Sequence, residues 1–106
     1  MQFHGKNKKP TARISSTKHG GLMLVSDKNG RQGVLVTNDS SGGGIKVYDK
    51  NKNETVTITH NDNGGGMSVS NKTGEEIVLI LADENGNCFV GAYNRKGEGQ
   101  TLQPGP

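Results

Sequence analysis

Pairs of apolar residues two positions apart recur along the chain at intervals of 11 residues. A spacing of two is the period of a β-strand that buries one face. An interval of 11 leaves room for one short strand and one tight turn, so each pair predicts a strand. The pairs are Met23/Val25, Val34/Val36, Ile45/Val47, Val56/Ile58, Met67/Val69, Val78/Ile80 and, with glycine as second member, Phe89/Gly91.

Two kinds of turn sequence alternate between the pairs, which gives a period of about 22 residues, within the range of tandem repeats. We expect two-residue type I′ turns at Asn29-Gly30, Asn51-Lys52 and Thr73-Gly74, of which Asn51-Lys52 is the weakest because lysine disfavours positive φ. These turns set apolar partners opposite each other. The predicted partners are Val25/Val34, Met23/Val36, Val47/Val56, Ile45/Ile58, Val69/Val78 and Met67/Ile80.

The pattern therefore predicts an all-β fold, an antiparallel meander of hairpin repeats that is closed or packed by self-association. The alternative is a β-solenoid with parallel coils. We expect a basic, mobile N-terminal arm over residues 1–19, a repeat domain over residues 20–102 and a tail over residues 103–106. The pair Ala12/Ile14 fits the same spacing, so a first strand inside the arm is an option.

Composition limits the core that such a sheet can form. Only 28% of the 106 residues are hydrophobic, 17 are glycine, four are aromatic and none is tryptophan. A core of about a dozen aliphatic side chains, at roughly 1.5–3 kcal/mol each, is thin. Association that buries more apolar surface would stabilise the chain.

The net charge of +3 is modest and concentrated near the start of the chain, at Lys6, Lys8, Lys9, Arg13 and Lys18. No aromatic residue is interleaved with these lysines to stack on bases, so nucleic acid is a disfavoured partner. No apolar run is long enough for a membrane span. The single cysteine excludes an intrachain disulfide.

Catalytic chemistry is absent from the pattern. The three histidines, His4, His19 and His60, lack partners at ligand spacing, and nothing interrupts the repeat to form a pocket. We predict no catalytic residue, no cofactor and no metal site, and hence no enzyme. The Asp and Asn residues of the turns are explained by turn formation, although their oxygens leave calcium as an alternative.

The second face of the predicted sheet is apolar at both ends and polar in the middle. We predict an interface at its C-terminal end, formed by Ile77, Leu79, Leu81, Val90 and Ala92. The polar middle offers a candidate ligand face for a glycan, formed by Tyr48, Thr57, Thr59 and Tyr93.

The segment Gly44 to Asn51 carries the pattern Gly-x-x-x-Tyr-Asp-Lys-Asn. It resembles the tandem hairpin repeats of bacterial surface and phage-fibre-like proteins, and it is similar to the Tyr-Asp repeats of large bacterial shell-forming toxin proteins. The resemblance covers about residues 20–102 and implies a scaffold or fibre role without an active site.

These observations favour a non-enzymatic structural or assembly module that self-associates through an apolar sheet face or joins neighbouring repeats. The alternative is a module that binds a glycan or a surface polymer through the polar middle face.

Overall fold

A computed structural model of the chain describes residues 1–4 and 9–104, and these residues form ten β-strands and no helix. The strands are short, as the 11-residue interval predicts. Their bounds are β1 Gln2–His4, β2 Pro10–Thr17, β3 Gly20–Ser26, β4 Gln32–Asp39, β5 Gly42–Tyr48, β6 Glu54–Asn61, β7 Gly64–Ser70, β8 Glu76–Ala82, β9 Cys88–Tyr93 and β10 Gly99–Leu102.

All ten strands belong to one antiparallel sheet in which each strand pairs with its neighbours in sequence. The sheet is open, with β1 and β10 at its two edges. The predicted antiparallel meander is therefore confirmed, and the parallel pairing of a β-solenoid is not formed between the described strands.

The predicted partners are also confirmed, since Val25 faces Val34, Ile45 faces Ile58 and the remaining pairs match. Followed from strand to strand, these partners form two continuous rows on one face, which we call the aliphatic face. The first row is Phe3, Ala12, Val25, Val34, Val47, Val56, Val69, Val78, Ala92 and Gln100. The second row is Ile14, Met23, Val36, Ile45, Ile58, Met67, Ile80, Val90 and Leu102.

Five-residue turns connect several of these strands, and they differ from the predicted type I′ turns. In the first, the N–H of Gly30 donates to the carbonyl of Asp27 at 2.9 Å, and positive φ occurs at Gly30 and not at Asn29. This is a type I turn followed by a left-handed residue, the arrangement of a glycine bulge. The expected register survives because the bulge absorbs the extra residue.

The first side chain of each five-residue turn holds the loop together. Its Oδ1 accepts hydrogen bonds from the N–H groups two and four residues further on, at 2.8–3.1 Å. Asp and Asn are favoured here because their short side chains reach their own backbone. The residues in this position are Asp27, Asp49, Asn71, Asp83 and Asn94.

Lys52 occupies the left-handed position of the second turn at a φ of 70°, where the other four turns have glycine. A side chain in this conformation costs about 1–2 kcal/mol. We expect Lys52→Gly to raise the free energy of unfolding by about 1 kcal/mol, because the strain disappears while the unfolded chain gains some freedom.

Chemical denaturation at fixed protein concentration measures this change. Lys50→Gly is the matched control, since Lys50 lies in the same loop at negative φ and should lose about 0.4–1 kcal/mol. If both substitutions stabilised the protein, or if neither did, the claim that Lys52 is strained would be contradicted.

Two-residue turns connect the strands at the opposite end of the sheet. Asp39 pairs with Gly42 and Asn61 pairs with Gly64 across these turns, as Thr17 does with Gly20. Each of these glycines has a φ between 126° and 144°. In the clusters Gly42-Gly43-Gly44 and Gly64-Gly65-Gly66, only the first glycine has a positive φ.

The connection from β8 to β9 breaks this alternation. A five-residue turn, residues 83–87, stands where the other turns at this end of the sheet have two residues. It places Val90 opposite Ile80, one residue later than the 22-residue repeat would place the partner. Because side chains alternate between faces, a shift of one residue exchanges the faces of β9. Val90 and Ala92 therefore join the aliphatic face, whereas the sequence pattern placed Phe89 and Gly91 there; that assignment was wrong.

The sheet begins earlier than residue 20. β1 and β2 lie within the range predicted as an N-terminal arm, and β2 pairs through Ala12 with Val25 and through Ile14 with Met23. β2 joins the sheet because Ala12 and Ile14 continue the spacing of the apolar pairs. Residues 5–8 of the range lie outside the described residues, and β10 ends at Leu102, where the repeat was predicted to end.

The described strands form a single layer, which leaves them without a buried core. Each described strand contacts only its sheet neighbours, and among residues 1–4 and 9–104 no hydrophobic side chain is buried. The dimensions are 55 × 31 × 17 Å, with a radius of gyration of 16.6 Å. A compact domain of this length has a radius of about 13 Å.

Candidate interaction face

The aliphatic face holds every exposed large hydrophobic side chain of the described residues. Their exposed fractions include 47% for Ile14, 42% for Ile58 and 37% for Ile80. Neither of the two rows contains a charged residue. The full set is Met1, Phe3, Ile14, Met23, Val25, Ile58, Ile80 and Leu102.

The opposite face, which we call the outer face, carries its leucines at the two ends of the sheet. Lys46, Thr57 and Ser68 lie next to one another across its middle. The leucines and Phe89 are half-buried, unlike the exposed residues of the aliphatic face. They are Leu22, Leu24 and Leu35 at one end and Leu79 and Leu81, with Phe89, at the other.

Glycines on the outer face explain why two of its large side chains, Leu81 and Tyr93, are better covered. A Cβ at Gly66 would lie 2.6 Å from Cδ2 of Leu81, and a Cβ at Gly91 would lie 2.5 Å from the ring of Tyr93. The side chains of Leu81 and Tyr93 therefore pack against the backbone of Gly66 and Gly91, respectively. The aliphatic face has valine, isoleucine or methionine at most of its paired positions.

The five residues predicted as one interface are divided between the two faces. Leu79 faces Ser68 and Gly91 on the outer face, and Leu81 and Ile77 share its side of β8 by alternation. Val90 and Ala92 lie on the aliphatic face, opposite Ile80 and Val78. The sequence signal that could have located them is the spacing of the turn residues, since Asn94 follows Asn71 by 23 residues whereas the earlier spacing is 22.

The candidate ligand residues share the outer face without forming one compact site. Thr57 and Thr59 lie on β6, while Tyr48 and Tyr93 lie on β5 and β9. Four strand spacings separate the two tyrosines, about 19 Å. The ring of Tyr48 borders a depression lined by Lys9, Arg31 and Lys52, whereas Tyr93 covers Gly91.

The carboxylates of the turns are engaged by their own loops. The backbone N–H of Arg31 is the main cause that lowers the pKa of Asp27, and the N–H of Asn53 does the same for the pKa of Asp49. Both groups are thus ionised at neutral pH and bound to their own backbone. In the part of the chain that the structure describes, no three His, Cys, Asp or Glu side chains are grouped as metal ligands.

His60 lies at the polar margin of the aliphatic face, between Gly43 in β5 and Gly65 in β7. Its Nδ1 lies 3.0 Å from the carbonyl oxygen of Gly43, and its Nε2 faces the carbonyl oxygen of Ser41. The ring covers Gly42, where a Cβ would be 2.5 Å from the ring carbon Cε1. The ring of His60 therefore covers the tight turn after β4.

No protein-family model matches this chain, and no curated protein matches it in sequence. None of the described segments forms a helix with the length and hydropathy that crossing a bilayer requires.

Proposed function

We propose that this chain is a non-enzymatic structural module that assembles with further copies of itself through the aliphatic face. One observation carries the proposal: all exposed large hydrophobic side chains of the described residues lie on that one face. Contiguous apolar surface of this kind marks an interaction site in a soluble protein. The first uncharged row extends across all ten strands and the second across nine, so the face has no interruption that would favour a small ligand.

The accessible surface supports the same conclusion. It amounts to 7698 Å² for a chain of 11.2 kDa. A compact monomer of this mass exposes roughly 5,700 Å². The excess of about 2,000 Å² is larger than the roughly 800 Å² that each partner buries in a standard interface.

Sheet packing favours a second copy as the occupant of this face. A sheet with one apolar face is stabilised when that face packs against another apolar layer, as in a two-sheet sandwich. Residues 1–4 and 9–104 supply no such layer, because each described strand contacts only its sheet neighbours. A second copy offers a layer of the same width and the same chemistry, and closed symmetric pairs are the commonest assemblies of identical chains.

The experiment is light scattering coupled to size-exclusion chromatography, over a hundredfold range of protein concentration. We expect a mass of two or more multiples of 11.2 kDa at high concentration, with dissociation on dilution. A monodisperse monomer at every concentration, folded by circular dichroism, would overturn the proposal.

A further inference from the structure

The turns at the two ends of the strands carry opposite charge. At one end, which we call the basic rim, the turns 27–31, 49–53, 71–75 and 94–98 hold seven Lys or Arg residues and four carboxylates, a net charge of +3. At the other end, the acidic rim, the turns 17–20, 39–42, 61–64 and 83–87 hold one lysine and four carboxylates, a net charge of −3. The sequence alternates the two kinds of turn, and the meander sorts them to opposite ends.

Charged residues at the adjoining strand ends do not cancel this asymmetry. Lys9 and Glu76 flank the basic rim with opposite charges, and Glu54 pairs with Lys46 at 3.2 Å. The strand residues next to the acidic rim are uncharged, apart from the histidine at position 60. Each copy of the sheet is therefore a charge dipole that points along its strands.

We propose that this dipole sets how two copies align when their aliphatic faces meet, so that the basic rim of each copy lies over the acidic rim of the other. The inference rests on the proposed self-association. Packed sheets keep their strand directions within about 30° of each other, about 10 Å apart. Two alignments remain, with like rims together or with opposite rims together.

Burial does not choose between these alignments, because both can bring the two aliphatic rows of one copy against the two rows of the other. Electrostatic interaction between the rims favours the alignment with opposite rims together. Rims about 10 Å apart are separated by slightly more than the Debye length of about 8 Å at physiological salt, and by much less than the length of about 30 Å at 0.01 M. Rims of opposite net charge therefore attract and rims of like charge repel, most strongly at low salt. Complementary charge fixes the register of an interface more than it raises affinity.

The favoured alignment has a definite symmetry. A twofold axis across the strands reverses the rims and keeps the strand order, so each strand lies over its own counterpart in the second copy. An axis along the strands would keep like rims together and reverse the strand order. Then β9 would lie over β2, seven strand spacings from its own counterpart, or about 34 Å.

Pulsed electron paramagnetic resonance between spin labels on different copies distinguishes the two alignments. Labels are placed in exposed turns, on single-cysteine variants in a Cys88→Ser background. Asn85→Cys marks the acidic rim and Lys96→Cys marks the basic rim at the same end of the strand order. His19→Cys lies on the acidic rim near β2. It tests the other alignment, in which like rims lie together and β9 lies over β2.

We expect a mixture of the variants labelled at 85 and 96 to show a new distance of about 15–20 Å, one sheet spacing plus the labels, that neither variant shows alone. The mixture labelled at 85 and 19 should give only longer distances. Raising the salt concentration should weaken the assembly.

A short distance in the 85 and 19 mixture, with assembly strengthened by salt, would overturn the alignment and leave the self-association standing. A sample that is monomeric by light scattering would overturn both. These two failures are thus separable, because the mass is measured on the same labelled samples.

Discussion

Replacing Ile80 with lysine is expected to dissociate the assembly, whereas replacing its neighbour Leu79 with lysine is expected to leave it intact. Ile80 lies in the second row of the aliphatic face, between Met67 and Val90. A lysine there would be buried without a partner when two copies meet. An unpaired buried charge costs about 3–5 kcal/mol, which corresponds to a loss of affinity of roughly 100-fold or more.

Leu79→Lys is a close control because the two residues are adjacent on β8 and their side chains point to opposite faces. Both substitutions remove a large aliphatic side chain from the same strand, so an effect through strand stability alone would appear in both variants. Sedimentation velocity gives the dissociation constant, and circular dichroism checks the fold. Dissociation by Leu79→Lys alone would move the interface to the outer face, where the sequence pattern first placed it.

Replacing Gly20 with alanine is expected to destabilise the sheet strongly. Gly20 has a φ of 144°, a conformation that is essentially restricted to glycine, and an added Cβ would overlap the carbonyl oxygen of Asn38. Backbone strain of this kind costs about 1–3 kcal/mol, and the overlap with a neighbouring strand adds to it. We expect a loss of at least about 2 kcal/mol in the free energy of unfolding, measured by chemical denaturation.

Gly21→Ala is the control from the adjacent position. Gly21 has no positive φ, and a Cβ there would meet no atom within 4 Å. We expect a change within about 1 kcal/mol, of either sign. Equal losses for the two alanine variants would show that the tight turn after β2 does not depend on the backbone conformation of Gly20.

The register of most of the sheet could be predicted from the sequence because two independent patterns agree. The interval between apolar pairs places the strands, and the turn positions then set Val25 against Val34 and Met67 against Ile80. A shift of one residue would expose every apolar side chain of a strand on the wrong face, so the pattern allows few alternatives.

The turn conformations could not be predicted from the same pattern. A type I′ turn at Asn29-Gly30 and a type I turn with a bulge at Gly30 give the same partners for Val25, so the pairing does not distinguish them. What distinguishes them is the hydrogen bonding of Asp27, which favours the longer loop. The sequence did identify Lys52 as the residue in the unfavourable position, and its φ of 70° confirms this.

The candidate interface was only partly accessible to sequence reasoning. Leu79 and Leu81 were identified correctly as apolar residues of the outer face. Val90 and Ala92 were assigned to the wrong face because the longer turn before β9 shifts the alternation by one residue. Relative exposure could not be read from the sequence, since it depends on side chains such as Leu81 lying over glycines of the neighbouring strand.

The most direct test of the proposed assembly is an isotope-filtered nuclear Overhauser measurement on an equal mixture of methyl-labelled and unlabelled copies. Only contacts between different copies give signals in this measurement. We expect signals from the methyl groups of Ile45 and Ile58, which lie at the centre of the aliphatic face. Signals confined to the methyl groups of Leu79 and Leu81, or no signals at a concentration where light scattering finds only monomer, would contradict assembly through this face.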